Sequence, residues 1–524
     1  MKSSPGSALA QTCSISQSIR LIPEVRAYRG SRRVVVRVEV DGGDRMAEWQ
    51  VARLIPTWGI QSDTEAEMRA VSATLAVVSI VRDFSIALLG PFGASAAKKA
   101  LVETFVEVSF KLDDGTVIRP DGLIRVTYGK NTFTALVEVK TGQNVLNSAQ
   151  INSYWEVARK YGYDAVITIS NEIALPGQHP AAGLKVRSNS KVQVYHLSWS
   201  KVLSTAIMCK VHRGVDDVEQ AWILGELIRY LESGASGAVA FNDMGSNWVA
   251  VRDGAKESTL RANSDEVREV AQRWDQLLQF VSMRLGSEIG ADVQQVVSKG
   301  QQDPKVRLTQ LADVLCGSGT LAGAIKIPNA VGVIGVEADL RARRLTTSVD
   351  VPAPSDRGNK ARMTWLLRQL GEQSSSLSIE AWPRNSRAPL VASWSEVAAD
   401  PDRLTDSEGR EFLRFRLVLR AEMGLARKAG GKAAGFIDSV DGLINRFYGD
   451  VVQGLVAWSP PAPRLRPKDV IPVAAPSVVD SRPDAEDAMD LASEVAMEAT
   501  MRSTPITPTR HGPDAVRIAP GSVD

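Results

Sequence analysis

TVIRPDGLIRVTYGKNTFTALVEVKTG, residues 116–142, decides how the chain is read. Two stretches of alternating side chains flank Tyr128-Gly129-Lys130-Asn131, and a two-residue turn at Gly129-Lys130 joins them as an antiparallel hairpin. The turn sets the register: Tyr128 faces Asn131, and counting back along both strands puts Asp121 opposite Glu138. Side chains two apart share a face, so Lys140 joins the two acids. Ile124, Val126, Ala135, Val137 and Val139 point the other way, so one face packs and the other acts. Opposed side chains have Cβ atoms about 4.5–5.5 Å apart, and two carboxylates at that range repel each other unless positive charge lies between them. A divalent cation resolves the conflict. Mg²⁺, or Mn²⁺ in its place, takes one or two protein carboxylates with water and phosphate oxygens, polarises a phosphoryl group and acidifies a bound water. Asp121 and Glu138 are therefore the expected metal ligands, with Lys140 beside the water or the phosphate. The competing reading has Lys140 merely neutralising Glu138 on a solvated sheet face. Pro120 and Gly122 sit within a strand pattern that both residues weaken, which points to a bulge or a close backbone approach there.

Pro120-Asp121-Gly122, fifteen residues, then Glu138-Val139-Lys140 resembles the signature of the PD-(D/E)xK nuclease superfamily. The surroundings resemble it too: the family core runs helix, three strands, helix, strand, with its acids on the second and third strands. The resemblance implies a restriction-endonuclease-like mixed sheet flanked by helices, Mg²⁺- or Mn²⁺-dependent hydrolysis of phosphodiesters, and Asp121, Glu138 and Lys140 as its catalytic triad. In the helix after the hairpin, Gln150 and Tyr154 lie four apart on one face and resemble the QxxxY element of the RecB-like branch, where such a pair holds substrate or orients the site. The family also draws an acid from its first helix, for which Glu67 is the candidate and Glu65 the next. Glu103 and Glu107 of the preceding strand are further acids whose level depends on the turn at Asp113-Asp114-Gly115. A two-residue loop sets Val108 against Asp121, and a three-residue loop sets Glu107 there.

Outward from the hairpin, the pattern divides the 524 residues into an N-terminal strand-rich element (1–62), the nuclease-like unit (63–205), a helical region (206–300), a second α/β or α+β unit (301–459) and a Pro-rich disordered tail (460–524). RRVVVRVEV (32–40) alternates as a strand, with a second strand region in AEWQVARLIPTWGI. Asp63 or Thr64 can cap one long helix running to Gly90. AWILGELIRYLES and SDEVREVAQRWDQLLQFVSMRLGSEIG have helical periodicity. Residues 320–395 alternate around the helix RMTWLLRQLG, and a long helical stretch follows to about 458. DAEDAMDLASEVAMEATM in the tail could fold as an acidic amphipathic helix on a protein partner. Outside the nuclease-like unit the chain resembles uncharacterised bacterial proteins of stress-response type.

Composition narrows the classes. With 62 basic and 60 acidic residues, net +2, no global field draws the chain to nucleic acid, so such a surface would be local. RGNKAR (357–362) and RKAGGK (427–432) are basic clusters, read as solvated loops before phosphate contacts; Trp365, Trp382 and Trp394 are read as core. Cys13, Cys209 and Cys316 are too few and too scattered for a disulfide framework or a zinc cluster. The four histidines show no ligand spacing, which leaves a metal to carboxylates. The polar, Ser-, Pro- and Gly-containing start and the lack of an apolar run of about 20 residues lead us to expect neither secretion nor membrane insertion, and the expected setting is the cytoplasm. Two functions remain in view, a DNA-cleaving Mg²⁺ or Mn²⁺ enzyme and a catalytically silent nucleic-acid or protein binding module. RNA as substrate is a third reading.

Overall fold

The computed structural model describes the backbone of 33–40 and 43–50, residue 55, and residues 62–460 apart from 107, 113–114, 176–177, 187–188 and 432–434. The tail expected over 460–524, with its acidic segment, lies outside these residues beyond Pro460, as does the expected disorder at the N-terminus. Strands β1 (Arg33–Val40) and β2 (Gly43–Gln50) pair antiparallel. The second strand thus begins before the AEWQ segment expected to form it.

The helix expected to run unbroken to Gly90 is two helices, α1 (Asp63–Ile80) and α2 (Arg82–Leu89), bent by 109°. Its cap is Ser62, whose hydroxyl accepts from Glu65 N at 3.3 Å. The break falls at Val81 (φ −89°, ψ 98°), after Val77, Val78 and Ile80, whose β-branched side chains favour the helix poorly. Arg82 N donates instead to Gln220 Oε1 at 3.2 Å, so a tertiary partner takes up the freed amide. Among the described residues no single helix is long and apolar enough to cross a membrane.

The chain is a mixed α/β protein built on two larger sheets. The first comprises β3 (Leu101–Val106), β6 (Gly122–Tyr128), β7 (Asn131–Val139), β8 (Ala165–Ser170) and β9 (Gln193–Ser198), in that spatial order. A small hairpin, β4 (Phe110–Lys111) and β5 (Val117–Ile118), stands beside it. Pairing is antiparallel from β3 to β7 and parallel from β7 to β9. Helix α3 (Ser148–Tyr161), capped by Asn147, is the crossover between the parallel strands β7 and β8.

The hairpin register is as the turn dictates, with Tyr128 on Asn131 and Gly122 on Val137, and with Gly129 at φ +60° in the turn. Ile124, Val126, Ala135, Val137 and Val139 pack with α1, α2, α4 (Trp199–Ile207) and α5 (Val218–Leu231). The face expected to act is itself a core: Leu123, Leu136 and Val166 pack under Ile151, Tyr154 and Val157 of α3. A parallel crossover covers both faces of a sheet, so β7 is buried from Phe133 to Val139 and only its end is free for chemistry.

The second sheet is antiparallel throughout, in the order β10 (Gln294–Gln295), β11 (Thr320–Lys326), β12 (Ile334–Asp339), β13 (Arg344–Pro352), β16 (Phe412–Glu422), β14 (Leu377–Pro383) and β15 (Leu390–Ser393). One face packs on α6 (Trp248–Glu257), α7 (Asp265–Ile289), α8 (Pro304–Ser318), α9 (Asn359–Leu370), α10 (Trp394–Ala399) and α11 (Phe436–Phe447). The long helical stretch expected after 395 is wrong in its centre, where β16 is an interior strand. Phe412, Phe415, Leu417 and Leu419 are buried there, with arginines between them. Of the basic clusters, Arg362 is buried and donates to Phe412 O, Lys360 pairs with Asp402, and Arg427 pairs with Asp243.

Candidate active site

Four pieces of chain meet at the end of β7. Asp121 lies one residue before β6, and its Oδ2 accepts from Val139 N at 2.7 Å, which ties the acid to the strand that carries Glu138 and Lys140. Gly122 lets this happen: a Cβ there would meet Leu75 Cδ1 and stand 3.0 Å from Phe105 O, so the backbone approaches as closely as the Pro-Asp-Gly sequence suggested. Lys140 Nζ lies 2.7 Å from Glu138 Oε1 and 3.0 Å from Glu67 Oε1. Glu67 comes from α1, and its second oxygen accepts from Asn144 Nδ2 at 3.3 Å. Gln150 Nε2 donates to Tyr154 Oη at 2.7 Å, and Tyr154 Oη donates to Arg119 O at 3.1 Å. The expected residues Glu67, Asp121, Glu138, Lys140, Gln150 and Tyr154 are thus brought to one place. Glu65 is exposed on α1. Glu103 stands opposite Arg125, well along the strand from Asp121. The pairs Val106–Gly122 and Phe110–Ile118 share the register of the three-residue loop, and Glu107 itself lies outside the described residues.

Burial sets the electrostatics. Glu138 is only 1% exposed, and neither of its carboxylate oxygens accepts a well-directed hydrogen bond, although Oε1 touches the Lys140 ammonium. Burial and then the Asp121 charge push its carboxyl up to about 7, against the opposing pull of Lys140 and the Tyr154 hydroxyl. Burial also raises Asp121, opposed by the Val139 amide and by Lys140. Burial alone would lower Lys140, but Glu138 and Glu67 outweigh it and push the ammonium up to about 12. Tyr154 is raised by burial and by Glu138, so its phenol keeps its proton.

The arrangement suits a hard divalent cation. An almost fully buried carboxylate that has the Lys140 ammonium against one oxygen but no well-directed hydrogen bond, beside a second carboxylate, is costly to ionise, and a cation joining the two acids would relieve that cost. Among the described residues no three His, Cys, Asp or Glu side chains are grouped as a metal site. Asp121 and Glu138 are the two carboxylates that could hold an ion here, with water and substrate oxygens completing its shell.

The sequence did not announce Asn144, which follows Lys140 by four residues in a polar loop and has no signature. Nor did it announce that the polar row continues across the sheet, from Glu138 to Thr168 and from Thr168 to His196. His179 Nδ1 accepts from Ala181 N, which leaves Nε2–H to donate to Thr168 Oγ1 at 2.8 Å. His196 Nε2 donates to Glu172 O, and its Nδ1 lies 3.0 Å from the Thr168 hydroxyl. Burial pushes both imidazoles down to about 4, so they are neutral structural groups. No family model, curated protein or solved structure matches the chain.

Proposed function

We propose that the chain is a metal-dependent phosphodiesterase acting on DNA, its first sheet being a restriction-endonuclease-like domain of the PD-(D/E)xK type in the RecB-like branch. The observation that carries the reading is the meeting of Asp121, Glu138 and Lys140 with Glu67, Gln150 and Tyr154 at one strand end. The first sheet supports it further: with α2 and the separate β4–β5 hairpin set aside, its elements run α1, β3, β6, β7, α3, β8. A Mg²⁺ or Mn²⁺ ion held by Asp121 and Glu138 would polarise the phosphoryl group and acidify a bound water.

The remaining work falls to the chain's own groups. Lys140 keeps its charge at any working pH and stabilises the negative charge that develops on the phosphate oxygens. Glu67 steers the ammonium, and Asn144 steers Glu67. Gln150 and Tyr154 present a fixed amide and hydroxyl for substrate positioning, locked to one another and to the backbone of Arg119. The reading goes with a cytoplasmic setting.

The test is incubation of the purified chain with linear, circular and single-stranded DNA and with RNA, in Mg²⁺ and in Mn²⁺. Cleavage of DNA that is lost in chelator and in both Asp121→Ala and Lys140→Ala, with folding retained, is the expected result. Cleavage that survives both substitutions or persists in chelator would remove the assignment.

A further inference from the structure

The backbone of Lys140 is held by residues that come later in the chain. Lys140 N donates to Ile169 O at 2.8 Å, extending the parallel ladder of β7 with β8 by one step. Its carbonyl accepts from Trp199 Nε1 at 2.9 Å, and Trp199 is 1% exposed at the first turn of α4. Two residues further on, Asn171 Nδ2 donates to Gly142 O at 3.0 Å and to Gly237 O at 2.9 Å, while its Oδ1 accepts from Val239 N at 2.7 Å. Gly142 N closes the pattern with a 2.9 Å bond to Gly237 O.

Gly237 has φ +69°, and a Cβ there would stand 2.9 Å from Thr141 Cβ and 3.2 Å from Gly142 N. Only glycine lets this strand of chain lie so near the lysine loop. Residues 140–142 are therefore pinned between Trp199 and segment 234–241, which leads from α5 toward α6 and α7 of the second core. The same indole lines a cavity of about 600 Å³ with Leu203, Val239, Phe280 and Met283, so its outer side faces α7.

We propose that Trp199 and Asn171 are positioning residues for Lys140, which make the active-site lysine depend on the segment joining the two sheets. The proposal rests on the function given above for its kinetic consequence alone. Lys140 lies just past the last β7–β8 pair, and its amide stays on Ile169 O, so without the indole N–H its carbonyl side alone is released and the peptide leading to Thr141 can tilt. The ammonium then leaves the narrow position between Glu67 and Glu138. A displacement of about 1 Å at a reacting group can cost roughly 100-fold in rate, and substrate affinity from remote contacts is left intact.

The experiment compares Trp199→Phe with Trp274→Phe. Trp274 is 0% exposed and donates Nε1 to Ala322 O at 3.1 Å, so the control loses an equivalent buried bond in the second core, away from Lys140. Trp199→Phe is expected to lower kcat about tenfold or more with KM nearly unchanged, and to move the Lys140 ammonium signal in ¹⁵N-lysine-labelled protein. Trp274→Phe is expected to do neither. Asn171→Ala provides a second route to the same pattern should Trp199→Phe not fold. A wild-type lysine signal and wild-type kcat in both Trp199→Phe and Asn171→Ala would overturn the proposal, as would equal effects in Trp274→Phe. If the wild-type chain cleaves nothing, the nuclease reading falls, and the lysine signal alone decides the positioning role.

Discussion

Replacing Glu138 by glutamine in the metal-free protein should stabilise it at alkaline pH, which is unusual for the loss of an active-site charge. The carboxyl is 1% exposed and titrates at about 7 against an ordinary value of 4.5. A group raised in this way contributes stability that is full below its unfolded pKa and is lost as pH rises through the folded one. At about 1.4 kcal/mol per unit, the wild type should lose roughly 3 kcal/mol from this residue between pH 4.5 and pH 7. Glutamine fits the same space and does not titrate, so its unfolding free energy should lack that slope. The gain at pH 8 will fall short of the full figure, because Lys140 loses one of its two acidic partners and keeps only Glu67. Urea unfolding of both proteins at pH 5 and pH 8 in chelator measures the difference. Identical pH dependence in the two, or a Glu138→Gln protein less stable than wild type at pH 8, would refute the reasoning. Excess Mn²⁺ should reverse the order, stabilising the wild type and leaving the variant unmoved.

Three further outcomes follow from the same geometry. Gly122→Ala should cost about 1–3 kcal/mol by overpacking against Leu75 and the Phe105 carbonyl, read as a fall in the urea midpoint. Asn147→Ala removes the oxygen that accepts from Ala149 N and Gln150 N, so it should cost about 1 kcal/mol in the same assay. Tyr154→Phe leaves Arg119 O without its donor and Gln150 without its acceptor. It should lower DNA cleavage while the melting temperature falls only slightly, and unchanged cleavage would count against a positioning role.

Much of the candidate site was legible because a two-residue turn counts residues without ambiguity. Once Gly129 takes the left-handed turn conformation, pairing Asp121 with Glu138 is arithmetic, and the four-residue helical repeat does the same for Gln150 and Tyr154. What failed to show had physical reasons. Strand β16 is rich in Arg and Leu, good helix formers, and its period of two emerges only when the arginines are set on one face. The break at Val81 follows a β-branched run that helices often tolerate, and the partner that takes up the freed Arg82 amide, Gln220, is more than a hundred residues away, outside any local window. The burial of the acid-bearing face follows from α3 as a crossover, a matter of topology rather than of strand pattern. Trp199 and Asn171 read as an ordinary aromatic and an ordinary loop residue until the fold brings them to Lys140 and Gly142.

The claim on which the rest depends is that Asp121 and Glu138 jointly want a divalent cation, and calorimetric titration of Mn²⁺ into the metal-free chain addresses it most directly. The expected result is saturable binding that releases protons below pH 7 and that disappears in the Asp121→Ala, Glu138→Gln double variant. Undiminished Mn²⁺ binding by that variant, or none by the wild type, would contradict it.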